Sequence, residues 1–372
     1  MRVGLVIYGS LDVLSGGNLY DRMLVSSLKD SGHDVKLVSI RNRSYALDLI
    51  RNFSPGLERQ LTNGSFDVLV QDELIHPSLF RLNRALRGRF PIASIVHHLR
   101  SSEARSDWQN RLYRSIEKRY LLSIDAFVFN SETTRQTVES LLEKKTVSVV
   151  ATPGGDRLGG RLTPLEVRAR ATEDGELRIL FVGNLIGRKG LHHLLKALHS
   201  LGNRAYRLDV VGPEDADRAY AAGIRSLVRD LGLDGRVHFH GGLAGAALEE
   251  RFRAAQVLAV PSSYEGFGIV YLEAMGFGLP VIASSAGATD EIVRHESTGF
   301  LVPPGDEWIL ARRIEALLED RALLSMMSLA ALEAFDHHPG WEESMNKVER
   351  FLVELTKRPS RTNMASVAAP KG

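Results

Sequence analysis

Short apolar runs alternate with amphipathic stretches along most of this 372-residue chain. Such an alternation is typical of parallel sheets whose strands are joined by helical crossovers. The runs are apolar throughout rather than at every second position, which indicates strands buried on both faces. In the first half, helical patterns such as Leu19–Lys29 and Trp108–Leu122 separate the strand candidates. These candidates are Val3–Tyr8, Asp34–Ser39, Asp67–Val70, Ile92–Val96, Ala126–Asn130 and Val147–Val150.

A polar stretch rich in Gly, Arg and Glu, residues 152–176, interrupts this pattern and is interpreted as a linker. The pattern then restarts, which predicts two successive α/β domains, residues 1–155 and 156–335. A break at 338–341 precedes a last helix, about 340–356, which we expect to pack on the first domain. Residues 357–372 lack a core pattern and are expected to be disordered. The second set of strand candidates is Leu177–Val182, Leu208–Val211, Val237–Phe239, Val257–Val260 and Val281–Ile282.

Composition limits the chemistry and the location of the chain. The absence of cysteine excludes disulfides and thiolate catalysis. No apolar run approaches the roughly 20 residues that span a bilayer, and the N-terminus is interpreted as a strand rather than a signal peptide. We therefore expect a cytoplasmic protein, at most peripheral at the inner face of a membrane.

The first 155 residues carry 21 Lys and Arg against 16 Asp and Glu. This basic balance favours an anionic partner or membrane surface, although ordinary solvated charge gives such imbalances too. Nucleic acid is not expected as a partner.

The segment 261–276 directly follows a strand candidate and holds two carboxylates eight positions apart, Glu265 and Glu273. Ligands of open α/β sheets bind at the carboxyl ends of the strands. Gly266 and Gly268 leave backbone N–H groups open to an anion where the next helix begins. In a wholly helical segment the carboxylates would lie about 12 Å apart along the axis. This spacing suits one carboxylate on a hexose and one on a ribose, with a diphosphate between them. A helix cap and a buried glutamate are the structural alternative.

This segment resembles the E-x7-E signature of glycosyltransferase family 4, whose members are retaining enzymes of the GT-B fold. The resemblance covers nearly the whole chain in the right order. It implies two Rossmann-like domains facing a central cleft, a donor sugar linked to UDP, GDP or ADP, and no metal or other cofactor. The other matching motifs are Gly16-Gly17 with Tyr20, Ser31-Gly32-His33-Asp34-Val35, Ile95-Val96-His97-His98, Phe181-Val182-Gly183, Lys189-Gly190, Val211-Gly212, Val237–Gly241, Gly278-Leu279-Pro280-Val281, Glu291-Ile292-Val293 and Gly299-Phe300-Leu301-Val302.

The resemblance assigns the donor to the second domain. Glu273 matches the glutamate that binds the donor ribose, and Glu265 matches the one near the hydroxyls of the transferred sugar. Lys189 matches the lysine that binds the donor phosphates. The family often has an arginine five residues before this lysine; Asn184 stands there in this chain, and Arg188 is expected to supply the cation. An exposed helix N-terminus is the structural alternative for the basic pair. The remaining expected donor contacts are Gly16, Gly17, Gly183, Gly266, Phe267, Gly268 and Ile269.

In the first domain, His97 ends a strand whose carboxyl end faces the expected cleft. It resembles the histidine that contacts the donor sugar, and with Glu265 and Lys189 it completes the expected catalytic set. A neutral imidazole there would hydrogen-bond a sugar hydroxyl or the reacting region; a structural histidine is the alternative. His98 points to the opposite face of a strand and stands where the family often has aspartate, so it receives no role.

Several other patterns receive no role. Asp215 and Asp217 form a D-x-D pattern, but acidic residues near a helix start need no metal, and no metal site is predicted. The glycines around Lys189 miss the dinucleotide-binding fingerprint. The pairs His192-His193 and His337-His338 are interpreted as surface residues.

The stretch 108–122 places Trp108, Leu112, Ile116 and Tyr120 on one helical stripe beside several basic residues. Such a helix either rests on anionic lipid or turns its apolar stripe to the core. The sequence alone leaves both interpretations open.

Taken together, these features predict a retaining hexosyltransferase whose acceptor is a glycan, a lipid or a small metabolite. No carboxylate is placed as an obvious nucleophile for double displacement, unlike in the paired-carboxylate glycosidases. Transfer on one face of the sugar, helped by the leaving diphosphate, is therefore expected. Two alternatives are a nucleotide-sugar epimerase of similar fold and a non-catalytic protein that binds sugar nucleotides.

Overall fold

The computed structural model of the chain describes residues 1–12, 15–103 and 105–357. Within them the chain forms two compact units. The first contains residues 1–153 and the segment from Glu342 onward, and the second contains residues 154–341. The tail for which we expect disorder lies outside the described residues, except for its first residue, Lys357.

The first unit is built on a parallel sheet. Its described strands are β1 (Arg2–Tyr8), β2 (Asp34–Ile40), β3 (Val68–Asp72), β4 (Ile92–Val96), β5 (Ala126–Phe129) and β6 (Ser148–Val150). Its helices are α1 (Gly16–Asp30), α2 (Tyr45–Ile50), α3 (Pro55–Thr62), α4 (His76–Leu86), α5 (Asp107–Leu121) and α6 (Glu132–Leu142). The strand order is β2-β1-β3-β4-β5-β6. Strands β3, β4 and β5 are buried throughout, as their uninterrupted apolar runs predict.

The second unit repeats this architecture with a different strand order. Its described strands are β7 (Leu177–Val182), β8 (Tyr206–Val211), β9 (Val237–Phe239), β10 (Val257–Val260), β11 (Val281–Ser284) and β12 (Gly299–Val302). Its helices are α7 (Pro164–Ala171), α8 (Leu191–Ser200), α9 (Arg218–Asp230), α10 (Gly245–Ala254), α11 (Ile269–Gly276), α12 (Glu307–Glu319) and α13 (Arg321–Asp336). The order is β12-β11-β10-β7-β8-β9, and all described pairs are parallel. The predicted α/β class is confirmed.

Each sheet has one place where the strand order reverses. In the first unit this place lies between β1 and β3, and in the second it lies between β7 and β10. The loops that leave the carboxyl ends of two such strands diverge to opposite faces of the sheet. The crevice between them is where open α/β sheets bind ligands, so each of these two loop pairs is a candidate ligand site.

Part of the predicted linker is a helix of the second unit. Helix α7 begins with a capping box, in which Thr163 and Glu166 each accept a hydrogen bond from the other's backbone N–H. Its Arg170 is buried and donates to the carbonyl oxygens of Phe277 and Gly278. The polar composition of the stretch therefore does not exclude a packed helix, because its buried arginine finds backbone carbonyls as hydrogen-bond partners.

The last helix, α14 (Trp341–Lys357), contacts residues of the first unit. Its Glu349 accepts a 2.8 Å hydrogen bond from the Ser31 hydroxyl and lies 3.0 Å from the His33 imidazole. Ser344 donates to the carbonyl oxygen of Thr152. These polar contacts and the buried apolar face of α14 explain why the chain from Glu342 onward belongs to the first unit.

Candidate functional site

Two loops of the second unit meet where its strand order reverses. One follows β7 and contains a short turn, Gly187–Lys189, ahead of α8; the other follows β10 and precedes α11. Gly190 has a φ of +73°, and a Cβ atom there would lie 2.2 Å from the carbonyl oxygen of Pro261. Only glycine allows the two backbones to approach so closely. This approach brings Lys189 beside Glu265.

Lys189 and Glu265 form a buried ion pair between these loops. Lys189 Nζ lies 2.5 Å from Glu265 Oε1, which also accepts a 2.6 Å hydrogen bond from the Ser262 hydroxyl. Arg188 Nη1 lies 3.6 Å from Glu265 Oε2 and donates to the carbonyl oxygen of Tyr264 at 2.6 Å. Each oxygen of the carboxylate therefore faces a cation. The structure brings together three residues that the sequence assigned to one site.

Burial and these cations act in opposite directions on the pKa of Glu265. Burial raises it, but Lys189 and then Arg188 lower it by more, so the pKa falls to about 2. The pKa of Lys189 is lowered because its burial outweighs the attraction of Glu265. Because two cations and a hydroxyl satisfy the Glu265 carboxylate, we take the pair as ionised at neutral pH.

The backbone of Glu265 is fixed by the loop that follows β11. Its carbonyl oxygen accepts a 2.9 Å hydrogen bond from the backbone N–H of Ala288. Gly287 has a φ of +86°, and a Cβ atom there would lie only 1.9 Å from that same carbonyl oxygen. The loop therefore packs directly on Glu265, and this contact holds the carboxylate in place before any ligand arrives.

Glu273, the second carboxylate of the motif, is buried on α11 and forms an ion pair with Arg157. Burial raises the pKa of Glu273, and the guanidinium of Arg157 opposes this effect. Sequence reasoning missed Arg157 because it lies in the stretch interpreted as a linker, where one arginine among several carries no local signal. Its partner lies 116 positions away.

The other predicted donor contacts of the second unit lie around the same place. A Cβ atom at Gly183 would lie 3.4 Å from the side chain of Lys189. Gly266 and Phe267 are buried between Glu265 and α11, and Gly268 is the N-cap of that helix, which begins at Ile269.

The charges of this cluster favour an anion. Arg157, Arg188 and Lys189 are opposed by two carboxylates, which leaves one net positive charge beside the first turn of α11. Guanidinium groups, an ammonium and a helix N-terminus are the donors that phosphate groups prefer in proteins. The arrangement therefore suits a ligand that carries both phosphate and hydroxyl groups.

The predicted residues of the first unit gather at the carboxyl edge of its own sheet. His97 follows β4, and a Cβ atom at Gly17 would lie 3.1 Å from its ring. Gly16 is the first residue of α1, which Ser15 caps by accepting a hydrogen bond from the backbone N–H of Asn18. Tyr20 lies edge-on to the His97 ring, with 5.5 Å between the ring centroids.

Two acidic residues that sequence reasoning missed lie next to His97. Asp21 Oδ1 is 3.6 Å from His97 Nε2, and Asp72 ends the neighbouring strand β3. Burial, and then Asp21, raise the pKa of Asp72 to about 7. A usable signal existed, because polar residues follow the apolar run of β3 directly and strand ends of this kind line ligand sites.

His98 forms an ion pair with Glu103 at 2.9 Å. A second buried group lies nearby, in which His76 is 3.0 Å from Glu73 and its Nε2 lies 3.0 Å from the Tyr45 hydroxyl. Burial lowers the pKa of His76 to about 4 and raises that of Glu73 to about 7. Both nitrogens of His76 are engaged, so this ring has no free lone pair for a ligand.

Three of the four histidines interpreted as surface residues are partly buried. His192 lies 2.8 Å from the Tyr220 hydroxyl, and His193 lies 2.8 Å from Glu307. His338 is half-buried and lies beside the Phe267 ring, whereas His337 is exposed as expected. The error arose because α8 presents both members of the first pair to neighbouring helices, which only the tertiary packing decides.

The D-x-D pattern has a local role at a helix start. Asp217 is the N-cap of α9 and accepts a 3.0 Å hydrogen bond from the backbone N–H of Tyr220, while Asp215 is exposed. Within the described parts of the chain, two groups have donor atoms close enough to share a metal ion: Asp21, Asp72 and His97, and Glu73, His76 and Glu117. Neither group includes the D-x-D residues.

Comparison with known proteins shows which family part of the chain resembles. Residues 165–333 match the model of the family described as glycosyl transferases group 1. The D-inositol 3-phosphate glycosyltransferase of Nocardia farcinica is 32% identical over 261 residues, which are 66% of this chain and 57% of that protein. A Mycobacterium tuberculosis protein named GDP-mannose-dependent alpha-(1-6)-phosphatidylinositol monomannoside mannosyltransferase is 30% identical over 251 residues, 64% of each chain. This chain thus spans less than two thirds of the length of either relative.

The fold has close counterparts among solved structures. Sucrose-phosphate synthase from Thermosynechococcus elongatus superposes with a TM-score of 0.81 at 23% identity, covering 96% of this chain and 99% of that one. The fold is therefore GT-B. None of the helices within the described residues combines the length and apolar character needed to cross a membrane.

Proposed function

We propose that this chain, whose residues 165–333 match the model of the group 1 glycosyl transferases, moves a hexose from a nucleotide-sugar to an acceptor with retention of configuration. The observation that carries the proposal is the cluster of Arg157, Arg188, Lys189, Glu265 and Glu273 where the second sheet reverses its strand order. A nucleotide-sugar presents ribose hydroxyls, a diphosphate and sugar hydroxyls. The cluster presents a carboxylate, a group of cations and a second carboxylate.

We assign the ends of the donor to the two carboxylates. Glu273 accepts hydrogen bonds from the ribose hydroxyls, and Arg157 counteracts the effect of burial on this carboxylate. Glu265 accepts hydrogen bonds from the hydroxyls of the transferred sugar. It is well suited to this role because its low pKa keeps it an acceptor over the whole physiological range.

The cations serve the diphosphate. Lys189 and Arg188 bind it in the ground state and stabilise the charge that grows on it as the glycosidic bond to the sugar breaks. Each must exchange part of its contact with Glu265 for the phosphate. The leaving diphosphate then takes the acceptor proton on the same face of the sugar, so no enzymic nucleophile is needed. We assign His97 of the first unit to a hydrogen bond with a substrate hydroxyl.

The named relatives support a nucleotide-sugar donor and an anionic acceptor. One is named as dependent on GDP-mannose and as acting on a phosphatidylinositol mannoside, and the other is named for an inositol phosphate. Both acceptors are polyols with a negative charge. Neither name describes an epimerase. We propose that the acceptor of this chain is likewise anionic and is met by the basic first unit.

Helix α5 supports peripheral contact of the first unit with an anionic membrane. Its predicted apolar stripe divides: Ile116 and Tyr120 are buried, whereas Trp108 and Leu112 are 62% and 46% exposed. Arg111 and Arg114 are also exposed on this helix. An exposed tryptophan can insert at the interface of a membrane while nearby arginines bind the anionic headgroups.

A ligand panel tests the proposal first. Thermal stability is measured with UDP-, GDP- and ADP-sugars, and the stabilising donor is then incubated with inositol phosphate and phosphoinositide acceptors. The anomeric configuration of the product is read by NMR. Transfer with inversion would contradict the retaining mechanism, and the absence of stabilisation by any sugar nucleotide would contradict the donor site.

Two variants then test the roles of the carboxylates by titration calorimetry. Glu273→Gln should weaken binding of the parent nucleotide by roughly 1.5–3 kcal/mol, the worth of a hydrogen bond to a charged group. Glu265→Gln should bind the nucleoside diphosphate at least as well as wild type, because the cations lose a competitor, but should lose turnover. Glu307→Gln, which removes a partly exposed carboxylate from Lys196 in the same unit, is the control and should change neither. Wild-type nucleotide binding by Glu273→Gln, or wild-type turnover by Glu265→Gln, would refute the assignment.

A further inference from the structure

Asp21 is a buried carboxylate with no hydrogen-bond donor for either oxygen among the described residues. It is fully buried on α1, four positions after Gly17. Residues four positions apart lie on the same face of a helix, and this face turns toward His97. An ionised carboxylate in such a place is costly unless a cation faces it.

The group that faces Asp21 is the ring of His97. His97 Nε2 has no hydrogen-bond partner in the described chain and lies 3.6 Å from Asp21 Oδ1. The ring is held on several sides: Gly17 packs on it, Tyr20 meets it edge-on, and Asn130 donates a 3.0 Å hydrogen bond to the carbonyl oxygen of His97. Its orientation toward Asp21 is therefore built into the fold.

The acidic groups around the ring come from three elements. Asp21 lies on α1, Asp72 ends β3, and Glu73 lies on the turn that follows. Burial lowers the pKa of His97, but Asp21, Asp72 and Glu73 together raise it above the ordinary value. The acidic groups therefore stabilise the protonated form of the ring, whereas the sequence led us to expect a neutral imidazole.

We propose that Asp21 is a positioning residue that acts through His97: its carboxylate holds the Nε2–H and keeps the ring as an imidazolium. An imidazolium has two N–H donors. With one turned to Asp21, the other is left to donate to an oxygen of the substrate, in a site with little water to weaken the bond. The catalytic consequence rests on the proposed function, but the protonation of His97 does not.

The protonation is measured by NMR on the intact chain labelled with 15N-histidine. The His97 signals are assigned by their loss in His97→Gln. In wild type we expect an imidazolium at pH 7 that titrates above an ordinary histidine, and in Asp21→Asn we expect the titration to move to lower pH. Asp21→Glu should restore part of the shift. Asp72→Asn, which removes a neighbouring buried carboxylate of the same group, should move it less.

A control outside the site uses His33, which pairs with Glu349 in the same unit. Glu349→Gln should move only the signal of His33. Circular dichroism of Asp21→Asn and Asp21→Glu shows that each variant is folded before its spectrum is interpreted.

The kinetic effect should fall on turnover. We expect Asp21→Asn to lower kcat by about 10-fold to 100-fold, the range seen when a group that orients a functional histidine is removed, with KM for the donor within about twofold of wild type. The alkaline limb of the pH profile, where the imidazolium loses its proton, should move to lower pH together with the His97 titration. A merely structural aspartate would lower stability without moving that limb.

Two results would overturn the proposal. One is a His97 titration that is the same in wild type and Asp21→Asn. The other is a stoichiometric metal ion in the purified protein that is lost in Asp21→Asn, since Asp21, Asp72 and His97 have donor atoms within 4.8 Å of one another. If instead no sugar nucleotide is a substrate, the NMR result still stands, so failure of the proposed function is distinguishable from failure of this inference.

Discussion

Replacement of Lys189 by methionine removes one of the two cations beside the buried Glu265 and keeps most of the apolar stem. Burial raises the pKa of Glu265, but Lys189 and then Arg188 lower it by more, from 4.5 to about 2, which corresponds to about 3 kcal/mol at roughly 1.36 kcal/mol per pKa unit. This is an upper bound, because the burial of Lys189 opposes it and Arg188 remains. We expect Lys189→Met to lower the free energy of unfolding of the second unit by about 2–3 kcal/mol at pH 7.

The stabilisation by the Lys189–Glu265 ion pair depends on pH in a defined direction. The folded-state pKa of Glu265 lies below that of the unfolded chain, so the stabilisation is present above about pH 4.5 and is lost as the pH falls toward 2. The difference between wild type and Lys189→Met should therefore be constant between about pH 6 and pH 8. It should shrink in acid as the carboxylate is protonated in both proteins.

Urea unfolding followed by circular dichroism measures the effect in a double-mutant cycle. The double variant Lys189→Met, Glu265→Gln should be less destabilised than the sum of the two single variants. Lys196→Met is the matched control. Lys196 lies on α8, the helix that follows Lys189, and pairs with Glu307 at the surface, so its replacement should cost no more than about 1 kcal/mol. Additive single effects, or equal losses in Lys189→Met and Lys196→Met, would refute the buried-pair reasoning.

Three further outcomes are expected. Transferase activity should survive EDTA, because no metal is assigned a role; loss that manganese or magnesium restores would contradict this. Flotation with anionic vesicles should show binding that weakens as salt is added, because salt screens charge beyond about 8–10 Å. Binding should be lost when Arg111, Arg114 and Lys118 are all changed to Gln, while donor binding stays unchanged. No binding to vesicles at low salt would favour a soluble acceptor. Burial raises the pKa of Glu73 to about 7, so ionisation of this carboxyl destabilises the folded state. In urea unfolding, Glu73→Gln should therefore gain stability over wild type as the pH rises from about 5 to 8, by up to about 3 kcal/mol. A difference that does not depend on pH would contradict the raised pKa of Glu73.

Local patterns in the sequence were sufficient to predict the class of the fold and to identify one motif of the candidate site. Most predicted strands are short and largely apolar runs, and that pattern depends only on burial of both faces of a sheet. Glu265, Gly268 and Glu273 lie within one strand–loop–helix segment, so their spacing could be recognised without knowledge of the rest of the chain. Their place at a strand end follows from the same local order.

Contacts between distant parts of the chain were decided only by the tertiary structure. Lys189 meets Glu265 across 76 positions, and Arg157 meets Glu273 across 116. No local pattern marks Arg157, because an arginine in a polar stretch has the same sequence whether water or a buried carboxylate faces it. No local pattern marks Asp21 either, because in the sequence of α1 it looks like an ordinary polar residue. Only the packing of α1 against the end of β4 shows that it is buried against His97. Burial and charge pairing set the pKa of these groups, and both depend on which distant residues the fold brings within a few ångströms.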